Sequence, residues 1–248
     1  MDYGPCSAVV AVSSSEQHVV VAFSGTGSPV QLIEELLFGF TGMVHFEAVG
    51  GQILRYNSRV HDSLYSCVRS IVEDTLTGNS SNHQVILTGH SLGGAQAQLT
   101  AARLVADQVV NDSQLHVYAF GAPRVGDVDF AVSYDKLVTN SWRVVYESDP
   151  VPQIVPKRLA LQPYAYHTKG EVLYQENVSL LSNYTICKEN EDEECSADAP
   201  LCFSCIEHHG QYFLPGIEGY MSDKLSLQTQ MGDTHNSRRL HCKAYVMT

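Results

Sequence analysis

The sequence predicts an α/β protein built on a central, mostly parallel sheet with helices on both faces. Three observations carry this. Short valine-rich runs alternate with longer segments of helical periodicity. The runs are bounded by glycine, proline or polar turn residues. The 248 residues, 44% hydrophobic and 17% charged, suffice for one folded domain with a sizeable core. No internal repeat or linker interrupts the pattern, so residues 1–248 read as a single domain.

The elements follow in order. "CSAVVAV" and "HVVVAFSG" are valine-rich strands joined by a polar turn. "PVQLIEELLFGF" reads as a short helix with more apolar surface than one buried face needs. "SRVHDSLYSCVRSIVEDTL" sets Val60, Leu64, Cys67, Val68, Ile71, Val72 and Leu76 at helical spacing. "HQVILTG" is a strand and "GGAQAQLTAARLVADQV" a helix. "LHVYAFG" and "WRVVYESD" are strands, the second stopped by Pro150 and Pro152, and "GEVLYQE" is a further one. Beyond residue 186 the chain turns irregular and cysteine-rich. Its acidic run, Glu189 to Glu194, reads as a solvated loop between two cysteines.

Composition limits the partners. Net charge is −12, from 15 basic and 27 acidic residues. That opposes nucleic acid or an anionic membrane surface as the main partner, but not a neutral ester. No apolar run approaches the ~20 residues of a membrane span. Nothing in the sequence sets an oligomeric state.

Four of the seven cysteines lie within "CKENEDEECSADAPLCFSC". The Cys202/Cys205 spacing could suit zinc or redox work. There is no second C-x-x-C and no βαβ redox context, so disulfides are the better reading and no metal or other cofactor is expected. Four N-x-S/T triplets, at Asn79, Asn111, Asn177 and Asn183, also point to an oxidising, secretory compartment and a glycoprotein. "MDYGPCSAVVAVSSS" lacks the basic and apolar regions of a signal peptide. The chain is then either cytosolic and reduced or without its natural start; the odd cysteine count fits a lost partner.

The chemistry lies in Gly89-His90-Ser91-Leu92-Gly93, a G-x-S-x-G with a strand before it and a helix after it. A Cβ at Gly89 or Gly93 would collide with strand–helix packing, so the glycines let Ser91 stand clear on a tight turn. The backbone N–H beyond it opens a helix, where orphan donors and the positive dipole end favour a developing oxyanion. A serine nucleophile needs a base, and the base an orienting acid, in the chain order Ser, Asp or Glu, His. Asp149 sits just past a strand end; Asp127 and Asp129 compete from the preceding loop. For the base, His208, His209, His235 and His241 all remain open on residue mechanics alone.

These blocks together resemble the class 3 lipase family, the fungal-type triacylglycerol lipases of α/β-hydrolase fold. "VVVAFSGTGS" resembles its oxyanion strand and loop, and "VILTGHSLGGAQAQL" its nucleophile elbow. "AFGAPRVGD" and "ESDPVPQIVP" are similar to the next strand end and to the aspartate segment. "YHTKGEVLY" and "CKENEDEECS" resemble the strand before the catalytic histidine and a disulfide-closed loop. The resemblance covers residues 6 to 213 and leaves 214–248 unassigned. It implies Ser91 as nucleophile, Asp149 as orienter and a histidine in "IEHHGQYF" as base. Matching Tyr212-Phe213 to the family's D-H-x-x-Y-F selects His209; matching the preceding acid selects His208; His209 is preferred. It further implies an oxyanion hole from Thr26, through N–H and hydroxyl, and the Leu92 N–H. It implies a Cys187–Cys195 bridge and a lid presenting Leu32, Ile33, Leu36, Leu37, Phe38 and Phe40 to lipid.

Three departures stand out. Ser24 replaces an arginine, His208 replaces the acid before the base, and the family's N-terminal helix and strand are missing, which implies an incomplete chain. The expected activity is secreted hydrolysis of lipid esters, foremost triacylglycerol, at an oil–water or membrane interface. The alternatives are phospholipid acyl chains or feruloyl esters on the same site, or a lipid binder that has lost catalysis.

Overall fold

The computed structural model describes residues 7–25, 42–146, 149–160, 162–175, 182–199, 201–212 and 242–247. Its centre is an eight-stranded sheet. The strands are β1 (Ala8–Ser13), β2 (His18–Phe23), β5 (Gln84–His90), β6 (Leu115–Phe120), β7 (Ser141–Tyr146), β10 (Glu171–Tyr174), β11 (Tyr184–Cys187) and β12 (Cys242–Met247). Two small hairpins, β3 (Met43–His45) with β4 (Gln52–Leu54) and β8 (Arg158–Leu159) with β9 (Gln162–Pro163), lie outside it. The spatial order is β11-β10-β7-β6-β5-β2-β1-β12. β2, β5, β6, β7 and β10 run parallel; β1 against β2 and β11 against β10 are antiparallel, and β12 runs parallel to β1. The strands read from the sequence fall within this sheet. Residues 242–247, part of the stretch unassigned by sequence, add its outer strand.

The helices are α1 (Arg55–Thr75), α2 (Leu92–Ala106), α3 (Val128–Leu137) and the single turn α4 (Val151–Ile154). α1 has no side-chain cap and no acid in its first turn. Burial of one stripe holds it instead: Val60, Leu64, Val68 and Val72, four residues apart, meet Val10, Val19, Val21, Val85 and Leu87 in one core. β5 and β6 alternate in the same sense, burying Val85, Leu87, Leu115 and Val117 toward the helices. α2 is almost wholly buried, as its small residues allow. Phe130 and Tyr134 bring α3 into this core. Among the described residues, the opposite face is covered at its Phe120, Val144 and Tyr146 end by Tyr212 rather than by a long helix.

Between α1 and α2 a polar patch is sealed in. His61 is 1% exposed, packed by Phe46 and Tyr65, with Nδ1 3.5 Å from Thr100 Oγ1 and Nε2 unpartnered. Burial first, then the nearby Arg103, holds its pKa down to about 3. The unfolded chain would bind that proton near pH 6.5, so His61 supports the fold above pH 6.5 and withdraws support as pH falls toward about 3. Each unit in that window costs roughly 1.4 kcal/mol. Thermal melts from pH 7 to pH 4 are expected to fall less steeply for His61→Phe than for the wild type; equal slopes would mean that His61 titrates normally.

The acidic run is not simply solvated. A Cys187–Cys195 disulfide closes it, as the resemblance implied, and turns Glu191 inward at φ 45°. The Glu191 carboxylate accepts two 2.7 Å bonds from Arg124, through Nε and Nη2, with both side chains buried. The expected solvated loop is corrected here: one carboxylate of the run has a guanidinium to meet, and a buried charge with a partner is tolerated where a lone one is not. Cys202 and Cys205 form a second disulfide. Among the described residues, no group of His, Cys, Asp or Glu could hold a metal, and no helix is long and apolar enough to cross a membrane.

Candidate active site

The parallel strands end on one side of the sheet, and the chemistry-bearing residues gather there. β5 runs into α2 through Ser91 alone, which adopts φ 60° and ψ −128°. A non-glycine residue with that backbone is strained and is held only by its surroundings. The neighbours supply them. A Cβ on Gly89 would stand 2.3 Å from the Gly93 carbonyl carbon, and one on Gly93 would stand 2.2 Å from the Phe23 oxygen. A Cβ on Gly25 would meet the His90 oxygen at 2.7 Å. The Ser91 N–H donates to the Phe120 oxygen at 2.8 Å. The collisions argued from the sequence are therefore present on both sides of the serine.

Leu92 is the first residue of α2 and fully buried; its N–H, at the first helical position, has no intrahelical acceptor. Thr26 and the lid positions Leu32, Ile33, Leu36, Leu37, Phe38 and Phe40 lie outside the described residues. Ser24, the departure before them, bridges two strands. Its Oγ accepts from the Ser7 N–H at 2.9 Å and pairs with the Ser7 hydroxyl at 3.0 Å.

Asp149 follows β7 and is 3% exposed. Its Oδ1 accepts the Val151 N–H at 2.9 Å. Its Oδ2 accepts His209 Nδ1–H at 2.9 Å and the Tyr212 hydroxyl at 2.6 Å. Three donors around a buried carboxylate replace the water it gives up on burial. Asp127 is otherwise employed: it caps α3, its Oδ1 accepting from the N–H groups of Phe130 (2.9 Å) and Gln52 (3.0 Å).

The two adjacent histidines separate by geometry. Phe203–Gly210 is a 3-10 helix, in which residues three apart share a side. Ile206 packs inward beside Val151 and Ile154, so His209 turns inward too, to 3% exposure, and Tyr212 follows. His208 falls on another side and lies against the Tyr146 ring, centroids 5.0 Å apart. His235 and His241 lie outside the described residues. With Nδ1 given to Asp149, His209 keeps Nε2 free, and neither this atom nor the buried Ser91 Oγ has a hydrogen-bond partner. The site thus holds a serine on a strained turn, an imidazole with one open nitrogen and a buried carboxylate on the other. It can accept a proton from a hydroxyl and return it to a leaving group.

A model of the family described as Lipase (class 3) matches residues 20–159, more than half of the chain. The chain belongs to the class 3 lipase family. A Caenorhabditis elegans lipase is 33% identical over 216 residues, spanning 77% of this chain and 59% of the relative. A Rhizopus niveus lipase is 28% identical over 206 residues, 81% of this chain and 49% of the relative. The chain thus spans about half to three fifths of the length of these curated relatives. Its fold matches that of a triacylglycerol lipase described as having a serine protease triad at its catalytic centre. The TM-score is 0.73 at 27% identity, over 82% of this chain and 74% of that one. The α/β-hydrolase fold expected from the sequence is therefore the fold of this chain.

Sequence reasoning overlooked several residues that the structure sets around this candidate site. Tyr212 donates to Asp149 and accepts the Tyr146 N–H at 3.1 Å, while burial first, and then Asp149, pushes its phenol pKa well above the usual range. The quoted Tyr-Phe of the D-H-x-x-Y-F pattern was its signal. Gly121 adopts φ 55°, and a Cβ there would stand 2.8 Å from Asp149 Oδ2. Arg124 braces the turn after the aspartate, donating to the Val155 oxygen at 2.8 Å and to Gln153 Oε1 at 2.7 Å. Beside it His167 Nε2 donates to the Pro152 oxygen at 3.0 Å. Both lie in blocks quoted for the resemblance, "AFGAPRVGD" and "YHTKGEVLY", but no local pattern gave their partners.

Proposed function

We propose that this chain is a serine hydrolase of carboxylic esters, acting on acylglycerols presented at a lipid–water interface in an oxidising compartment. The observation that carries the proposal is the buried Asp149–His209 pair, whose imidazole lies 4.3 Å from the ring of His90, the residue preceding the strained Ser91, with His209 Nε2 and Ser91 Oγ both unpartnered. Ser91 Oγ attacks the ester carbonyl while His209 Nε2 takes its proton. The Asp149 carboxylate holds Nδ1–H and balances the imidazolium. The Leu92 N–H faces the oxyanion, with Thr26 as the second donor. His209 then returns the proton to the leaving alcohol, leaving an acyl-serine. Water, deprotonated by the same nitrogen, attacks that ester; fatty acid leaves and the proton returns to Ser91. These residues supply a nucleophile, a base and oxyanion donors without needing a cofactor. The Cys187–Cys195 and Cys202–Cys205 disulfides support the compartment. The apolar sequence at 32–40 supports a long-chain lipid over a soluble ester.

The test is covalent labelling by a fluorophosphonate ester, with Ser91→Ala beside the wild type, followed by hydrolysis of p-nitrophenyl butyrate and of emulsified triolein. Labelling that needs Ser91, with triolein turned over faster than butyrate once an emulsion forms, is expected. Labelled protein active on butyrate alone would overturn the lipid assignment. Folded protein without labelling would overturn the hydrolase.

A further inference from the structure

His90, the variable residue of the G-x-S-x-G, is not an idle spacer. Its ring lies between the elbow and the segment that carries His209. Nε2 is 2.7 Å from the backbone oxygen of His209. A carbonyl oxygen only accepts, so Nε2 carries the proton and Nδ1 is left as the lone-pair nitrogen. The same ring lies 4.3 Å from the His209 ring, centroid to centroid, tilted by 34°, and 5.3 Å from that of Tyr212. The other end of the residue is held in β5, where His90 pairs with Phe120 of β6 and the next N–H, that of Ser91, donates to the Phe120 oxygen.

We infer that His90 is a positioning residue for the base: it ties the main chain of His209 to the residue preceding Ser91 and supports the imidazole face. The inference rests on the role proposed above for Ser91 and His209. The alignment of nucleophile and base then need not travel through the whole fold. One side chain, adjacent to the nucleophile in sequence, reaches directly to the base. Asp149 holds His209 by Nδ1, which fixes one atom of a ring at the end of a side chain; His90 fixes the backbone from which that side chain hangs. The tie also keeps its tautomer through the working pH range. Burial first, then His209, holds the His90 pKa down to about 4, with Asp149 acting in the opposite sense. The titratable groups facing it are His209 and Tyr212 from the 203–212 segment and Asp149 behind them.

Three variants separate the bond from the packing. His90→Ala removes both, His90→Phe keeps a ring face without a donor, and His90→Gln keeps an amide donor. Wild type and variants would be compared by melting temperature and by kcat and KM on p-nitrophenyl butyrate from pH 5 to pH 9. His90→Ala and His90→Phe are expected to lose kcat by about 10- to 100-fold, as small misplacements of a base do, with KM within about threefold. Their acid limb of kcat/KM is expected to move. His90→Gln is expected to recover most of kcat. Should His90→Ala fail to fold, Phe against Gln carries the comparison. Phe matching the wild type in kcat and acid limb, or Gln failing as badly as Phe, would overturn the inference. A folded wild type that neither hydrolyses the ester nor takes the fluorophosphonate would overturn the hydrolase reading, and the inference with it.

Discussion

Asp149→Asn is expected to lower kcat on a soluble ester by about four orders of magnitude, with KM little changed. The reason lies in which atoms surround the carboxylate. Oδ2 receives two donors, the His209 Nδ1–H and the Tyr212 hydroxyl, and Oδ1 receives the Val151 N–H. An asparagine is a carboxylate isostere with one acceptor turned into a donor. If its NH2 takes the Oδ2 place, it faces two groups that also donate. The imidazole then relaxes by moving its proton to Nε2, the nitrogen that must accept from Ser91. If the NH2 takes the Oδ1 place, it opposes the Val151 N–H, and the turn into α4 loses its anchor. Either arrangement also removes the charge that balances an imidazolium. Fluorophosphonate labelling should slow in parallel, because phosphonylation of Ser91 uses the same base. A variant within tenfold of the wild type would remove Asp149 from this role.

The second large effect is on stability. Glu191→Ala is expected to destabilise the fold by about 3–5 kcal/mol, the usual consequence of leaving a buried charge without its partner. Arg124 is 1% exposed and gives both Nε and Nη2 to Glu191. Its remaining bonds, to the Val155 oxygen and Gln153 Oε1, are to neutral groups. Glu191 also accepts the His167 N–H at 2.7 Å, so its loss strands a second donor. The denaturant midpoint should fall with little change in slope. A double variant, Glu191→Leu with Arg124→Met, should recover part of the loss, because it removes both charges. A loss below about 1 kcal/mol for Glu191→Ala would mean that water reaches the guanidinium.

Legibility from the sequence followed locality. The elbow could be read because its whole pattern lies within five residues between a strand and a helix; the Gly89 collision is with Gly93 of the same pattern, although the Gly93 collision is with Phe23 on a neighbouring strand. Asp149 could be picked by its place at a strand end, and the competing Asp127 is a helix cap. Which of His208 and His209 meets Asp149 could not be read on mechanics, since one residue's rotation in a 3-10 helix sets it. The two open nitrogens look alike until Ile206 is seen to pack inward. Glu191 was misread because one inward carboxylate in an acidic run has no local mark; its reason, Arg124, lies 67 positions away. β12 was unreadable for the same cause. Its partner is β1, with Ala8 set against Cys242, and no local pattern tells a short strand where to pair.

That last pairing bears on the order in which the molecule comes together. β2, β5, β6, β7 and β10 are laid side by side in the order of synthesis, so each can dock on its predecessor as it is made. β1 joins β2 through a short turn and lies far ahead of β12 in the chain. In this structure its other edge is filled by residues 242–247. Until these dock, a valine-rich strand holds unpaired N–H and C=O groups outward, a template for any passing chain. Closing the loop between such distant partners is slow relative to the local steps. Aggregation in this protein should therefore be decided in the interval before β12 docks, not by the stability of the finished sheet.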